Sequence, residues 1–346
     1  MKTEPAHVPL VDVIKAIASQ LIVWHHLAFY GPMSDVAYAS VPGLFNWLYD
    51  QARVAVQAFL AVGGFLAGRS LFTRLERGPL DVPKLIWQRY VRLIPPYLVA
   101  LAAALASGAI ARALIGHPDV PKTPSFGQVL SHILLMQGIL GYEGLSAGVW
   151  YVAIDFQLYA VLVFLLWMSR KLAGERARKL GLMLCAGLAA ASLFWFNLDP
   201  TLDVWAPYFF GAYGLGILAQ RITTAPRKGA WILLLAAIVA GALAVEWRSR
   251  IAIAGLTALL LASSAGWPAS WADNRLVAWL ARISYSVFLI HYPVCLLVGA
   301  VVFRLWPDSV PANAAGIVLA WLASVAAGAL LYRSVEARGV RLNKAA

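Results

Sequence analysis

The chain has 346 residues, 61% of them hydrophobic and only 13% charged. That charged share is about half the level of a soluble domain, and with a mean hydropathy of +0.73 it excludes one large soluble core in favour of a polytopic membrane protein. The net charge of +12 is no sign of a nucleic-acid partner, because the basic residues fall in short loops between apolar runs, the pattern that orients a membrane protein.

The apolar runs, in chain order, predict ten spans at about 9–30, 52–70, 93–113, 148–168, 180–197, 204–220, 229–246, 251–267, 279–303 and 313–332. With the N-terminus in the cytoplasm, 21 Lys and Arg residues fall on the inner side and 6 on the outer, with Lys15 inside a span. The expectation is therefore an all-α polytopic membrane protein with about ten transmembrane helices and both termini cytoplasmic. Residues 1–346 read as a single membrane domain. The segment 126–141 is apolar but short, and carries Gln128, His132 and Gln137. It reads as an outer-face interfacial or re-entrant segment.

The first span holds Asp12, Lys15, His25 and His26, unlike the plain core of a cleavable signal peptide. Ionisable groups in a span are costly and point to function. Lys15 and His26 are eleven positions apart, roughly 16 Å along a helix and about half a bilayer core. An imidazole there suits a general base near neutral pH. His25 and His26 diverge by about 100° on the helix, so one of them faces the bundle interior. The plainer reading is a pair of interfacial histidines.

At the inner end of the third span, Arg89 and Arg92 are three residues apart on one helical face. Two readings stand: a phosphate clamp joined by Lys15, or ordinary positive-inside anchoring with snorkelling. In the fourth span Asp155 is an isolated carboxylate, with Gln157 and Tyr159 following. It orients His26, or else forms a structural ion pair with Lys15 or an arginine. The ninth span carries Ser284, Tyr285, Ser286, His291 and Tyr292. The serines suit helix–helix hydrogen bonding, and His291 is a further candidate for chemistry. Gly63–Gly64 and Gly211–Gly216 read as close-packing surfaces rather than phosphate loops. Cys185 and Cys295 lie within apolar runs, which argues against a disulfide framework or a cysteine metal site. No HExxH or Walker A pattern is present in the sequence, and no metal is expected.

On these motifs the chain resembles the acyltransferase 3 family of integral membrane acyltransferases over nearly its whole length. Lys15, ten residues and His26 are similar to the family's first-helix Arg-x10-His, which singles out His26, with Lys15 where Arg is usual. Arg89 and Arg92 with Leu93-Ile94-Pro95 are similar to its RxxR element. Gly63-Gly64-Phe65-Leu66 resembles its SGFL. Trp150, Tyr151, Asp155, Gln157 and Tyr159 resemble a Trp-Phe-x-x-x-Glu-x-Gln-x-Tyr element, with Asp155 where Glu is usual. Ser284-Tyr285-Ser286, Phe288, His291 and Pro293 resemble a late SYSxYxxHxP.

The resemblance implies transfer of an acyl group, usually acetyl, from cytoplasmic acyl-CoA to a hydroxyl of a glycan or lipid-linked glycan, in the bacterial inner membrane. Acyl-CoA, as acetyl-CoA, would be a co-substrate, with no cofactor tightly bound. Membrane lipid and polysaccharide synthesis or export machinery are the other partners implied. His26 with Asp155 would carry the chemistry, by direct attack or through an acyl-histidine. Lys15, Arg89 and Arg92 would hold acyl-CoA, supported by Trp150, Gln157, Tyr159, Ser284, Tyr285 and His291. Two alternatives of other classes are a transporter or flippase for a lipid-linked or anionic substrate, and a non-catalytic subunit of a polysaccharide export system.

Overall fold

The computed structural model describes residues 8–118, 120–264, 267 and 274–338. Thirteen α-helices follow one another: α1 (Pro9–Phe29), α2 (Pro32–Ala37), α3 (Pro42–Asp50), α4 (Val56–Arg77), α5 (Val82–Leu114), α6 (Phe126–Ile133), α7 (Val149–Ala173), α8 (Ala177–Phe194), α9 (Ala206–Ile222), α10 (Lys228–Val245), α11 (Ser249–Ser263), α12 (Arg275–Leu305) and α13 (Val310–Leu331). Among the described residues there is no strand.

Each of the ten apolar segments expected from the sequence overlaps one described helix. Among the described residues, seven helical runs are long and apolar enough to cross a membrane. α9 and α11, at 17 and 15 residues, are shorter than the roughly 20 residues a bilayer core requires. The chain is thus an all-helical, multi-pass membrane protein. The chain ends, expected in the cytoplasm, lie outside the described residues, as does His7. The segment 126–141 is the eight-residue α6 followed by turns, about 12 Å of helix.

α5 begins well before its apolar run, because the polar turns around Lys84 and Arg89 are helical too. It also passes through Pro95 and Pro96 without ending. Prolines at these positions cannot donate to the carbonyls of Val91 and Arg92. One residue on, the Tyr285 hydroxyl donates to the Leu93 carbonyl at 3.1 Å and braces the helix there.

The chain packs as two compact units, each discontinuous in sequence. The first comprises residues 1–18, 54–89 and 154–282. Its centre is the contact of α4 with α9, where backbones touch at glycines: a methyl on Gly64 would overlap the Tyr213 carbonyl, and one on Gly216 the Ala61 carbonyl. In a membrane, association rests on such close packing rather than on water exclusion. Ser192 ties α8 to α9, accepting from the Gly211 amide at 2.8 Å and donating to the Tyr208 carbonyl at 3.1 Å.

Helix C-termini leave carbonyls without partners. Arg248, 5% exposed, donates to the Leu193 carbonyl of α8 at 2.9 Å, adds a second donor to the Ala242 carbonyl of α10 at 3.0 Å beside the Glu246 amide, and reaches Asn197 Oδ1 at 2.9 Å. Arg250 donates to the Asn197 carbonyl at 2.7 Å and to the Tyr208 hydroxyl, and lies over the Tyr208 ring.

The second unit comprises residues 19–53, 90–153 and 283–346. A methyl on Gly328 of α13 would overlap Val287 of α12, so these helices also meet backbone to backbone. Trp321 packs on Trp24 with centroids 5.4 Å apart and donates to Gln20 Oε1 at 2.9 Å. α13 continues into a π-helical turn, Tyr332–Glu336, whose Glu336 accepts from Ser286 at 2.6 Å. His132, fully buried, holds the segment after α6: its Nδ1 donates to the Gln128 carbonyl at 2.7 Å and its Nε2 accepts from the Leu145 amide at 3.0 Å. That Nε2 is an acceptor fixes the ring as neutral. Burial also pushes its pKa below the ordinary value, against the smaller opposing effect of the Gln128 carbonyl.

Candidate active site

The last turn of α1 and the middle of α12 bring together two imidazoles of the second unit. His26 Nδ1 and His291 Nε2 are 2.7 Å apart, with the rings nearly parallel. His291 Nδ1 lies 2.8 Å from the Phe288 carbonyl, one turn back on its own helix. A carbonyl only accepts, so this nitrogen carries the proton. The other nitrogen of the neutral ring is then an acceptor, and His26 Nδ1 must donate to it. The hydrogen-bond network thus assigns both tautomers and leaves the lone pair of His26 on Nε2. His291 is wholly buried, whereas His26 is half-buried. The accessible ring carries the free base, and the buried ring orients it.

His25 faces elsewhere. Its Nδ1 donates to the Leu48 carbonyl of α3 at 3.1 Å, a structural bond that leaves His26 as the histidine of this site. Aromatic rings wall the pair: Tyr30 lies 5.4 Å from His26 and 5.3 Å, edge-on, from Tyr292. Phe288 lies 6.1 Å from His291 and 5.2 Å from Tyr151. Tyr292 is one of the ninth-span residues noted in the sequence, whereas Tyr30 is not among the residues expected from it. Tyr30 is four residues after His26, the spacing of one helical face, which was the available signal.

In the first unit Arg89 forms an ion pair with Asp155, 5% exposed. The guanidinium lies 5.1 Å over the Tyr159 ring. A methyl on Gly63 would sit 3.7 Å from the Asp155 carboxylate and 3.5 Å from the Tyr213 ring. The Arg89 Nε and the Tyr213 hydroxyl are buried without hydrogen-bond partners. Of the two readings of Asp155, the observed contact is the ion pair with an arginine.

The other expected residues divide between these clusters and the frame. Gln157 accepts from the Ala206 amide at 3.0 Å and donates to the Val204 carbonyl at 3.2 Å, fixing the start of α9. Tyr285 braces α5, Ser284 is buried in α12, and Trp150 is exposed beside Tyr151. Lys15 is half-buried on α1 and Arg92 is exposed on α5. Among the described residues no group of three or more His, Cys, Asp or Glu side chains could hold a metal ion.

A family model described as an acyltransferase domain matches residues 8–333. The chain belongs to the acyltransferase 3 family. A peptidoglycan O-acetyltransferase, OatA of Listeria monocytogenes serovar 1/2a, is 22% identical to this chain over an alignment of 338 positions that covers 84% of this chain and 50% of the relative. The chain therefore spans about half the length of that curated relative. No solved structure matches the chain.

Proposed function

We propose that this acyltransferase moves an acetyl group from cytoplasmic acetyl-CoA to a hydroxyl of a cell-surface or exported glycan, as a multi-pass protein of the bacterial inner membrane with ten spans and both ends inside. The observation that carries this reading is the His26–His291 pair, whose tautomers leave a free imidazole lone pair at His26 Nε2. That nitrogen takes the proton of the acceptor hydroxyl while the oxygen attacks the thioester carbonyl. An ester C–O bond forms and the thioester C–S bond breaks. The proton passes from His26 to the departing CoA thiolate, so acceptor and acetyl-CoA become ester and CoA thiol. His291 donates to Phe288 and accepts from His26, which stabilises positive charge on His26 during the step.

Arg89, Arg92 and Lys15 are assigned to the phosphates of acyl-CoA, since guanidinium groups match phosphate oxygens. Asp155 and Tyr159 act through Arg89, which they hold in place. The similarity to a peptidoglycan O-acetyltransferase makes peptidoglycan the first acceptor to try.

The deciding experiment measures free-thiol release from acetyl-CoA by purified protein in detergent, with and without peptidoglycan fragments and a panel of exported glycans. Release stimulated by a glycan, and lost in His26→Ala, supports the reading. Absence of acetyl-CoA binding and release in the wild type overturns it and favours transport of an anionic or lipid-linked substrate.

A further inference from the structure

Beside the histidine pair, the second unit contains a small recess lined by Tyr30, Met33, Ile115, Tyr292, Cys295 and Gly299 among others. We propose that this recess is the acyl subsite, and that Met33 limits the chain it accepts to acetyl. The inference rests on the acyltransferase reading above and adds the site that would select the donor.

Three observations support it. The first is position. Tyr30 and Tyr292 form one wall, and Tyr30 also packs on the His26 ring at 5.4 Å. The recess and the free base therefore share a side chain. The second is chemistry. Apart from the two tyrosines the lining is aliphatic or sulfur-bearing and has no charged side chain, a surface for a methyl group and not for a sugar hydroxyl or a phosphate.

The third is size. The volume is about 20 Å³. A single water-sized group needs about 10–15 Å³ on this measure, so the recess takes one small group, and a longer acyl chain needs its wall to give way. Met33 sets that limit. It is buried, its sulfur against Gly316 and its terminal methyl towards Gly299. A methyl added to Gly316 would lie 2.7 Å from the Met33 sulfur, and one added to Gly299 would lie 3.5 Å from its terminal carbon. The two glycines leave space for a thioether that a larger residue would displace, and that thioether closes the recess.

The test uses the whole purified protein in detergent, titrated with CoA, acetyl-CoA, propionyl-CoA and butyryl-CoA and read as thermal stabilisation, which needs no acceptor. Wild type should prefer acetyl-CoA to butyryl-CoA by tenfold or more, since one methylene in an apolar pocket changes discrimination by roughly 10–200-fold. Met33→Ala removes three heavy atoms from the wall and should shift that ratio by at least tenfold towards butyryl-CoA. Gly299→Ala places a methyl at ordinary contact distance from Met33, so the fold tolerates it, and it should weaken acetyl-CoA while leaving CoA itself unchanged. Equal affinity for all chain lengths, or a ratio unaltered in both variants, overturns the subsite while the acyltransferase reading stands. Failure of every CoA compound to stabilise wild type overturns both.

Discussion

His26 and His291 share a 2.7 Å hydrogen bond whose direction is set by a third group, the Phe288 carbonyl behind His291. Because the carbonyl can only accept, the order of donors runs from His26 through His291 to the backbone of α12. Removing His26 should lower acyl transfer by about 10²–10⁴, the usual contribution of a general base. His291→Ala should lower kcat with little change in the KM for acetyl-CoA. His291→Gln, whose amide oxygen can accept from His26, should recover part of that loss. Steady-state kinetics of the three variants check the order. Equal losses in His291→Ala and His291→Gln would leave His291 no orienting role.

Arg89 and Asp155 form a partly buried ion pair. Removal of one partner from such a pair costs up to about 3–5 kcal/mol, because the other charge is left uncompensated. Asp155→Ala and Arg89→Ala should each lower the thermal stability of the protein in detergent. The double variant should cost less than the two single losses added together. Strict additivity in this double-mutant cycle would show the contact to be energetically silent.

Gly64 and Gly216 let α4 and α9 touch through their backbones. Replacing either with Val puts branched carbon where a carbonyl oxygen already sits. Overpacking typically costs about 1–3 kcal/mol, and here the obstacle is backbone, which yields less than a side chain. Gly64→Val and Gly216→Val should reduce folded yield and Tm sharply, whereas Gly187→Ala, which would meet nothing within 4 Å, should not.

His132 gives the segment after α6 a pH dependence. Its neutral ring donates to Gln128 and accepts from Leu145, and burial lowers its pKa from the ordinary value of about 6.5. Below pH 6.5 the undocked ring takes up a proton before the docked one does. Docking is thus fully stabilised above pH 6.5 and weakens as pH falls towards the lower, docked pKa. Amide protection factors over residues 126–146, with the intrinsic fall in exchange rate at lower pH divided out, should drop between pH 7.5 and pH 5, and His132→Gln should abolish the change. Protection factors flat with pH in the wild type would refute it.

The helices are the part of this fold most legible in the sequence, since apolar runs of about 20 residues have few other uses. Their ends are less so: α5 and α12 extend past their apolar stretches because charged turns such as those at Lys84 and Arg275 remain helical. Within the site, sequence marks His26 and Asp155 as unusual because ionisable side chains are costly in a span. It does not give their partners. Arg89 and Asp155 are 66 positions apart, and His26 and His291 are 265 apart, distances at which only the packed chain decides which side chain answers which. His25 and His26 are neighbours of identical chemistry, and their separation into a brace for Leu48 and a partner of His291 follows from where α3 and α12 lie.

Gly316 touches neither histidine in chain order nor in chemistry, yet it backs Met33. A methyl there would lie 2.7 Å from the Met33 sulfur and 2.9 Å from Val302, so it would press on the thioether and on its neighbour in α12 together. On the subsite proposed above, exchange of one hydrogen for a methyl in α13, behind the wall, would change donor choice while every residue that lines the recess stayed the same.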